Sequence, residues 1–214
     1  MIKAILFDRD GVLIDTENIH YKSVIAGLKS QGIDCNDNDV AFITGRGPDN
    51  YKKEFLGKFQ VDWEEYRKEQ RKSFYKIFEK DLPIIKENIN LAKKLKEKGY
   101  KIALVTASSR KSTEYIMGLI KLDNFFDVMV TNEDYANGKP SPDPYLTAAK
   151  KLSLKPTECI AVEDSKVGLL SAKSAGMKCI IVRTNNTINE DYSKADLILE
   201  LENIKIENIK ELLA

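Results

Sequence analysis

The chain of 214 residues carries 34 Lys and Arg against 33 Asp and Glu, with a single histidine and a formal net charge of +1. That balance offers no basic field to attract nucleic acid or an anionic membrane surface, and the length suits one core with an appended lobe, or two small domains. Cys35, Cys159 and Cys179 are widely spaced and odd in number, with no Cys-x-x-Cys, which argues against a disulfide frame or a thiolate zinc site.

The first apolar run, Ala4 to Phe7, lies between Lys3 and Asp8 and is far shorter than a signal peptide or a membrane span of about 20 residues. We expect a soluble, cytoplasmic monomer with neither nucleic acid nor membrane as a partner. The run reads as a strand that ends in Asp8-Arg9-Asp10-Gly11-Val12. Alternate strand residues point to opposite faces, so the two aspartates converge only if the chain leaves strand geometry between them, and Gly11 eases that bend. Carboxylates this close repel unless a cation or a shared proton is present.

From Thr16 to about Lys80 no strand pattern appears. Ile19, Val24, Ile25 and Leu28 mark one helix face, and Trp63, Tyr66, Phe74 and Ile77 mark another. The charged residues from Glu64 to Lys80 read as a solvated helix face, with Glu64 and Lys68 spaced as a helical pair. Pro83 interrupts the pattern. The expected organisation is therefore a main domain of residues 1–15 and 81–214, with a helical lobe, residues 16–80, inserted after the first strand.

Beyond the lobe, β-type runs alternate with helix-length segments. Lys101 to Thr106, Asp127 to Thr131, Cys159 to Glu163, Lys178 to Arg183 and Asp196 to Leu199 read as strands. Arg110 to Lys121, Pro142 to Leu152 and Val167 to Ala175 read as helices, with Ser141-Pro142 offering an N-cap and an N1 proline. Gly99 and Gly176 fall where helices must stop before strands. This alternation predicts an α/β fold with a doubly wound, Rossmann-like parallel sheet. Cys159 and Cys179, inside apolar runs, are expected to be buried.

Polar residues follow the apolar runs at four places: Asp8 and Asp10, Thr106, Lys139 in Asn137-Gly138-Lys139-Pro140, and Glu163-Asp164. The carboxyl ends of a doubly wound sheet lie along one edge, so these distant residues can meet around one ligand. The chemistry they suggest is phosphoryl transfer. Carboxylates from two strands can hold Mg²⁺, which prefers oxygen ligands. A hydroxyl, a lysine and backbone N–H groups at a helix start suit the remaining phosphate oxygens. Plainer readings stand beside these: Thr106 as the cap of a helix beginning near Ser109, Lys139 as a solvated loop lysine, and Glu163-Asp164-Ser165 as helix-start chemistry. His20 is the only histidine and no Gly-x-Ser-x-Gly is present, so nothing suggests a Ser-His-Asp hydrolase.

With Asp8-Arg9-Asp10-Gly11-Val12, Thr106, Lys139-Pro140 and Glu163-Asp164-Ser165 in order, the chain resembles the haloacid dehalogenase superfamily in its phosphatase and phosphomutase branch. Phe7 to Thr16 and Gly138 to Pro144 are similar to β-phosphoglucomutase and to sugar-phosphate phosphatases near it. The resemblance implies Asp8 as nucleophile and Asp10 as general acid and base. It implies Thr106 and Lys139 as phosphate binders, together with backbone at Ala107 and Ser108. Asp8, Asp164 and the Asp10 carbonyl would bind Mg²⁺, with Glu163 completing the shell directly or through water. The inserted lobe resembles the helical cap that contacts the leaving group.

Within that lobe, Arg46 in Thr44-Gly45-Arg46-Gly47-Pro48-Asp49 is the candidate substrate-reading residue. Its plain alternative is a solvated arginine in an inter-helix turn. His20 matches in position a histidine near the hinge of β-phosphoglucomutase-like proteins, or is a polar residue of the first cap helix. The cap arginine that the resemblance implies for a mutase falls at Pro48 in an ungapped reading, which displaces Arg46 by about two residues and favours a phosphatase. The expected function is Mg²⁺-dependent hydrolysis of a small phosphorylated metabolite, a sugar phosphate, through an aspartyl phosphate. A phosphohexomutase is the alternative. A dehalogenase has no use for Asp10. A phospho-accepting receiver needs its aspartate at a later strand end, where this chain has Thr131-Asn132.

Overall fold

The computed structural model describes residues 1–43, 48–184, 190–200 and 205–213. Its sheet has six parallel strands in the order β3-β2-β1-β4-β5-β6. They are β1 (Ala4–Phe7), β2 (Lys101–Val105), β3 (Val128–Val130), β4 (Cys159–Glu163), β5 (Lys178–Arg183) and β6 (Leu197–Glu200). The predicted doubly wound α/β sheet is thus present. Every residue of β1 and β4 is buried, as a parallel sheet covered on both faces requires. Strand order reverses between β1 and β4, which are paired with Phe7 opposite Val162. The switch point of an open sheet is where a crevice forms.

Helices follow the expected alternation with small shifts at their ends. Among them α5 spans Lys86–Glu97, α6 Arg110–Leu119, α7 Asp143–Leu152, α8 Lys166–Ser174 and α9 Ile206–Leu213. Helix α6 stops two residues early, and Lys121 takes a left-handed φ of 59° just beyond it. Helix α7 begins one residue late: Pro142 is its N-cap, and Ser141 Oγ instead accepts from the Asp143 N–H at 3.4 Å. Ala4, Leu6, Ala103, Val105, Cys159, Ala161, Cys179 and Ile181 from the sheet pack with Tyr145, Ala148 and Ala149 of α7 and Leu169 and Ala172 of α8. Cys159 and Cys179 are buried and unbridged.

The chain divides into two compact units, Met1–Asp15 with Ile84–Ala214, and Thr16–Pro83. The second division falls three residues beyond the expected one because helix α4 runs on through Asp81 and ends at Leu82, whose φ is 37°. Among the described residues of this unit the α-helices are α1 (Glu17–Lys29), α2 (Asp37–Val40), α3 (Pro48–Lys58) and α4 (Trp63–Asp81). Its core gathers Val24, Leu28, Val40, Ile43, Tyr51, Phe55, Phe59 and Tyr66. Phe55 sits 4.6 Å from the Tyr66 ring centroid and 5.5 Å from that of Trp63, within the range of favourable aromatic pairs. Lys68 pairs with Glu65 at 3.2 Å rather than with the expected Glu64. No helix among the described residues is long and apolar enough to cross a membrane.

The segment that follows β1 is fixed by its own backbone. The N–H groups of Leu13 and Ile14 donate to the Arg9 carbonyl at 2.9 and 3.1 Å, and the Gly11 N–H donates to Ile14 O at 2.8 Å. Helix α5 clasps this turn: Ile85 N–H donates to Leu13 O at 2.9 Å, and the buried Asn88 donates Nδ2 to Val12 O at 2.6 Å. Asn88→Ala should lower the unfolding free energy by about 1–3 kcal/mol, because it strands a buried carbonyl. Asn90→Ala, on the exposed face of the same helix, should stay within about 0.5 kcal/mol of the parent. Urea denaturation of the two variants checks the difference.

Candidate active site

The Asp8 N–H continues the ladder to Val162 O at 2.9 Å, so the Asp8 side chain emerges where β1 and β4 end side by side. Asp8, Glu163 and Asp164 there offer carboxylate oxygens that lie within 4.8 Å of one another. Two glycines make that crowding possible. Gly11 has φ +77°, and a Cβ on it would sit 1.9 Å from Asp164 Oδ2; a Cβ on Gly168, in the first turn of α8, would sit 2.0 Å from Glu163 Cδ. The bend after Asp10 was readable from Gly11, whereas the room that glycine leaves for Asp164 was not. Ser165 is the N-cap of α8, accepting from the Gly168 N–H at 3.2 Å, and it also donates to Glu163 Oε2 at 3.3 Å.

Lys139 enters this acidic group from the loop before α7. Its Nζ lies 2.5 Å from both Asp8 Oδ1 and Glu163 Oε1, and the side chain is 9% exposed. It is therefore no solvated loop lysine. Three carboxylates against one ammonium leave an excess of negative charge in a buried place. Burial, helped by the charges of Glu163 and Asp10 and opposed by Lys139, pushes the Asp8 carboxyl up to about 7. Burial and the Glu163 charge likewise push Asp164 well above the usual carboxylate range. For Lys139 burial works against the ammonium, but Asp8 and Glu163 overcome it and raise its pKa. A divalent cation would relieve this imbalance, and a donor set made only of carboxylate oxygens suits Mg²⁺. The residues present fit such an ion.

The loop after β2 forms the neighbouring wall. Thr106 is buried, its N–H donates to Val130 O at 2.9 Å, and its Oγ1 accepts from the Ser108 N–H at 3.1 Å. The cap of α6 is Ser109, so Thr106 does not serve there. Ala107 is exposed between them. The Asp10 side chain is outside the carboxylate trio; its Oδ2 accepts from Arg9 Nε at 3.1 Å and from Nη2 at 2.8 Å. The structure thus brings Asp8, Glu163, Asp164 and Lys139 into direct contact or close approach, and it sets Asp10 to one side in the grip of its neighbour.

The sequence profile of the haloacid dehalogenase-like hydrolases matches residues 5–182. The chain belongs to that family. It is 34% identical to the YhcW protein of Bacillus subtilis (strain 168), over 97% of this chain and 100% of that one. It is 29% identical to the phosphorylated carbohydrates phosphatase of Thermotoga maritima, over 84% of each chain. Among solved structures, β-phosphoglucomutase from Clostridium difficile superposes with a TM-score of 0.79 at 26% identity, covering 99% of this chain and 96% of the other. The resemblance read from the four motifs is therefore borne out at the level of family and fold.

Two residues of this haloacid dehalogenase-like hydrolase that touch the site were not singled out by sequence. Tyr145 belongs to the buried face of α7 with Ala148, Ala149 and Leu152, and at helical spacing it passes for core. Its hydroxyl, however, donates to Glu163 Oε1 at 2.6 Å, and Lys139 Nζ lies 5.2 Å from its ring centroid. The only sequence signal is that a tyrosine on an apolar helix face needs a partner for its hydroxyl. Arg9 is the other, a charged side chain that is 3% exposed. Of the lobe residues, His20 lies half-buried on α1 with its ring edge-on to Phe74 at 6.0 Å, and Arg46 lies outside the described residues. Tyr145→Phe removes a hydrogen bond to a buried carboxylate and should lower stability by about 1–3 kcal/mol. Parallel guanidinium and thermal unfolding of the variant check this.

Proposed function

We propose that this hydrolase is a Mg²⁺-dependent phosphatase of small phosphorylated metabolites, sugar phosphates first among them, acting through a phosphorylated Asp8. The observation that carries the reading is the convergence of Asp8, Glu163 and Asp164, with the Asp8 carboxylate held 2.5 Å from Lys139. Bound among these oxygens and the Asp10 carbonyl, Mg²⁺ would supply positive charge to the phosphate oxygens. Lys139 and the Thr106 hydroxyl bind the same group, with the Ala107 N–H and Ser108 of the same loop. This shielding matters because Asp8 is a weak nucleophile that an unscreened phosphate dianion repels.

In the first step an Asp8 oxygen bonds to phosphorus as the phosphorus–alkoxide bond breaks, and Asp10 gives its proton to the departing alcohol. In the second, water attacks the acyl phosphate, Asp10 takes the proton that water loses, and inorganic phosphate leaves with Asp8 restored. The likeness to the Thermotoga maritima phosphatase supports a phosphorylated carbohydrate as substrate. We assign Thr16–Pro83 as a cap that reads the leaving group, with His20 and Arg46 its candidate contacts. The likeness to β-phosphoglucomutase keeps one competitor in view, a phosphohexomutase, and product analysis separates the two. Given β-glucose 1-phosphate and a bisphosphate activator, a mutase yields an isomeric sugar phosphate, whereas the hydrolase yields free phosphate.

A phosphate-release screen over sugar phosphates, phosphoglycolate and nucleotides with Mg²⁺ tests the reading, and inactivity across the panel would overturn it. On the best substrate Asp8→Asn should abolish turnover while the circular dichroism spectrum stays unchanged. Lys139→Ala should lower kcat by about 10² to 10³, the usual loss for one electrostatic partner of a developing charge. Phosphate release should stop in excess chelator and return on adding Mg²⁺.

A further inference from the structure

Arg9 stands between the two aspartates of the first motif, and its guanidinium makes four side-chain hydrogen bonds. Nε and Nη2 reach Asp10 Oδ2 at 3.1 and 2.8 Å, Nη2 also reaches Ser108 Oγ at 2.6 Å, and Nη1 reaches Thr113 Oγ1 at 3.3 Å. The Arg9 side chain is 4% exposed, whereas that of Asp10 is 38% exposed. A guanidinium so enclosed is held behind the site, and the group it holds is the one open to a substrate. Thr113 is itself fixed, donating to Ser109 O at 2.9 Å on the first turn of α6. The anchor therefore runs from a rigid helix, through Arg9, to Asp10 and to the loop that follows β2.

We infer that Arg9 is a positioning residue for proton transfer: it sets the Asp10 carboxylate at a fixed place relative to the phosphate-binding loop. The inference rests on the proposed role of Asp10 as general acid and base. Both bonds from Arg9 to Asp10 land on Oδ2, so that oxygen is the point at which the carboxylate is anchored. The same nitrogen that holds Oδ2 holds Ser108 Oγ, which ties the acid to the loop that would carry the phosphate. A planar fork with several N–H groups in fixed directions can satisfy a carboxylate and a hydroxyl together; a lysine presents one point charge and loses that constraint. A residue that fixes a proton donor should matter in proportion to how much the leaving group needs the proton.

That dependence gives a readout that a merely structural role would not move. kcat/KM covers the steps up to alcohol release, so it isolates the first half of the reaction. The experiment measures kcat/KM for wild type, Arg9→Met, Arg9→Lys and Asp10→Asn with two substrates in Mg²⁺. One is the best alkyl phosphate from the screen, whose alkoxide must be protonated; the other is p-nitrophenyl phosphate, whose phenolate leaves without help. Asp10→Asn should lower the alkyl-to-aryl ratio by about 10². Arg9→Met should lower it at least tenfold, and Arg9→Lys severalfold. Should Arg9→Met fail to fold, as judged by near-ultraviolet circular dichroism, Arg9→Lys carries the decision, because it keeps the buried cation. An unchanged ratio in the folded Arg9 variants, with the ratio reduced in Asp10→Asn, would overturn the inference and leave the role of Asp10 standing. An unchanged ratio in Asp10→Asn would overturn the general-acid reading and the inference with it.

Discussion

The ammonium of Lys139, 2.5 Å from a carboxylate oxygen at the end of each of β1 and β4, is the contact on which the site depends. Asp8, Glu163 and Asp164 share a small buried volume, and without a cation their mutual repulsion and lost hydration would drive at least one to take up a proton. Lys139 can neutralise two of them only because β1 and β4 are neighbours in register, Phe7 opposite Val162, so that Asp8 and Glu163 leave the sheet together. Its Nζ also lies 3.4 Å from Val105 O at the end of β2. One side chain thus gathers the ends of the three central strands. The charge it leaves uncancelled is the part a divalent ion would answer, so burial and cation binding are two sides of one electrostatic constraint.

Much of this is legible in the sequence, and for a physical reason. Parallel strands buried on both faces must be continuous apolar runs, so the first polar residue after each run marks a carboxyl end. That rule alone brings out Asp8, Thr106 and Glu163-Asp164, and the order of the elements puts them along one edge. Element interiors were legible where apolar periodicity was strong, as in Cys159–Glu163 and Lys178–Arg183. Their ends were less so, because Pro142, Lys121 and Leu82 are settled by local backbone geometry that composition does not display.

What stayed hidden was hidden because its residue type pointed elsewhere. Tyr145 has the spacing of a core residue, and only its hydroxyl is functional in character; Arg9 sits where a solvated side chain would be the ordinary expectation. The partners that decide both, Glu163 and the Ser108–Thr113 stretch, are distant in sequence. Gly168 is a third instance. A glycine in the first turn of a helix is unremarkable by propensity, yet here it is the absence of a side chain that lets Glu163 occupy its place. Lys68 pairing with Glu65 instead of Glu64 is a milder case, since both acids are at helical spacing.

The acids around this strand edge are held in two different ways, and the difference follows from who holds them. Glu163 is fully buried, with Oε1 bonded by Lys139 and Tyr145 and Oε2 approached by the Ser165 hydroxyl and the Asp164 N–H at 3.3 Å. A carboxylate bonded on both oxygens, in the space that Gly168 leaves for it, is held in place, which suits a fixed electrostatic role. Asp10 is gripped by Arg9 through Oδ2, with its side chain partly open to solvent. Moving a proton requires access to solvent or substrate, whereas holding a metal ion requires geometry that does not change. Asp8 and Asp10 are only two residues apart on the chain. Gly11 and the turn it permits send them to different partners, Lys139 for one and Arg9 for the other, so that one strand end presents both a buried carboxylate paired with an ammonium and a more accessible one.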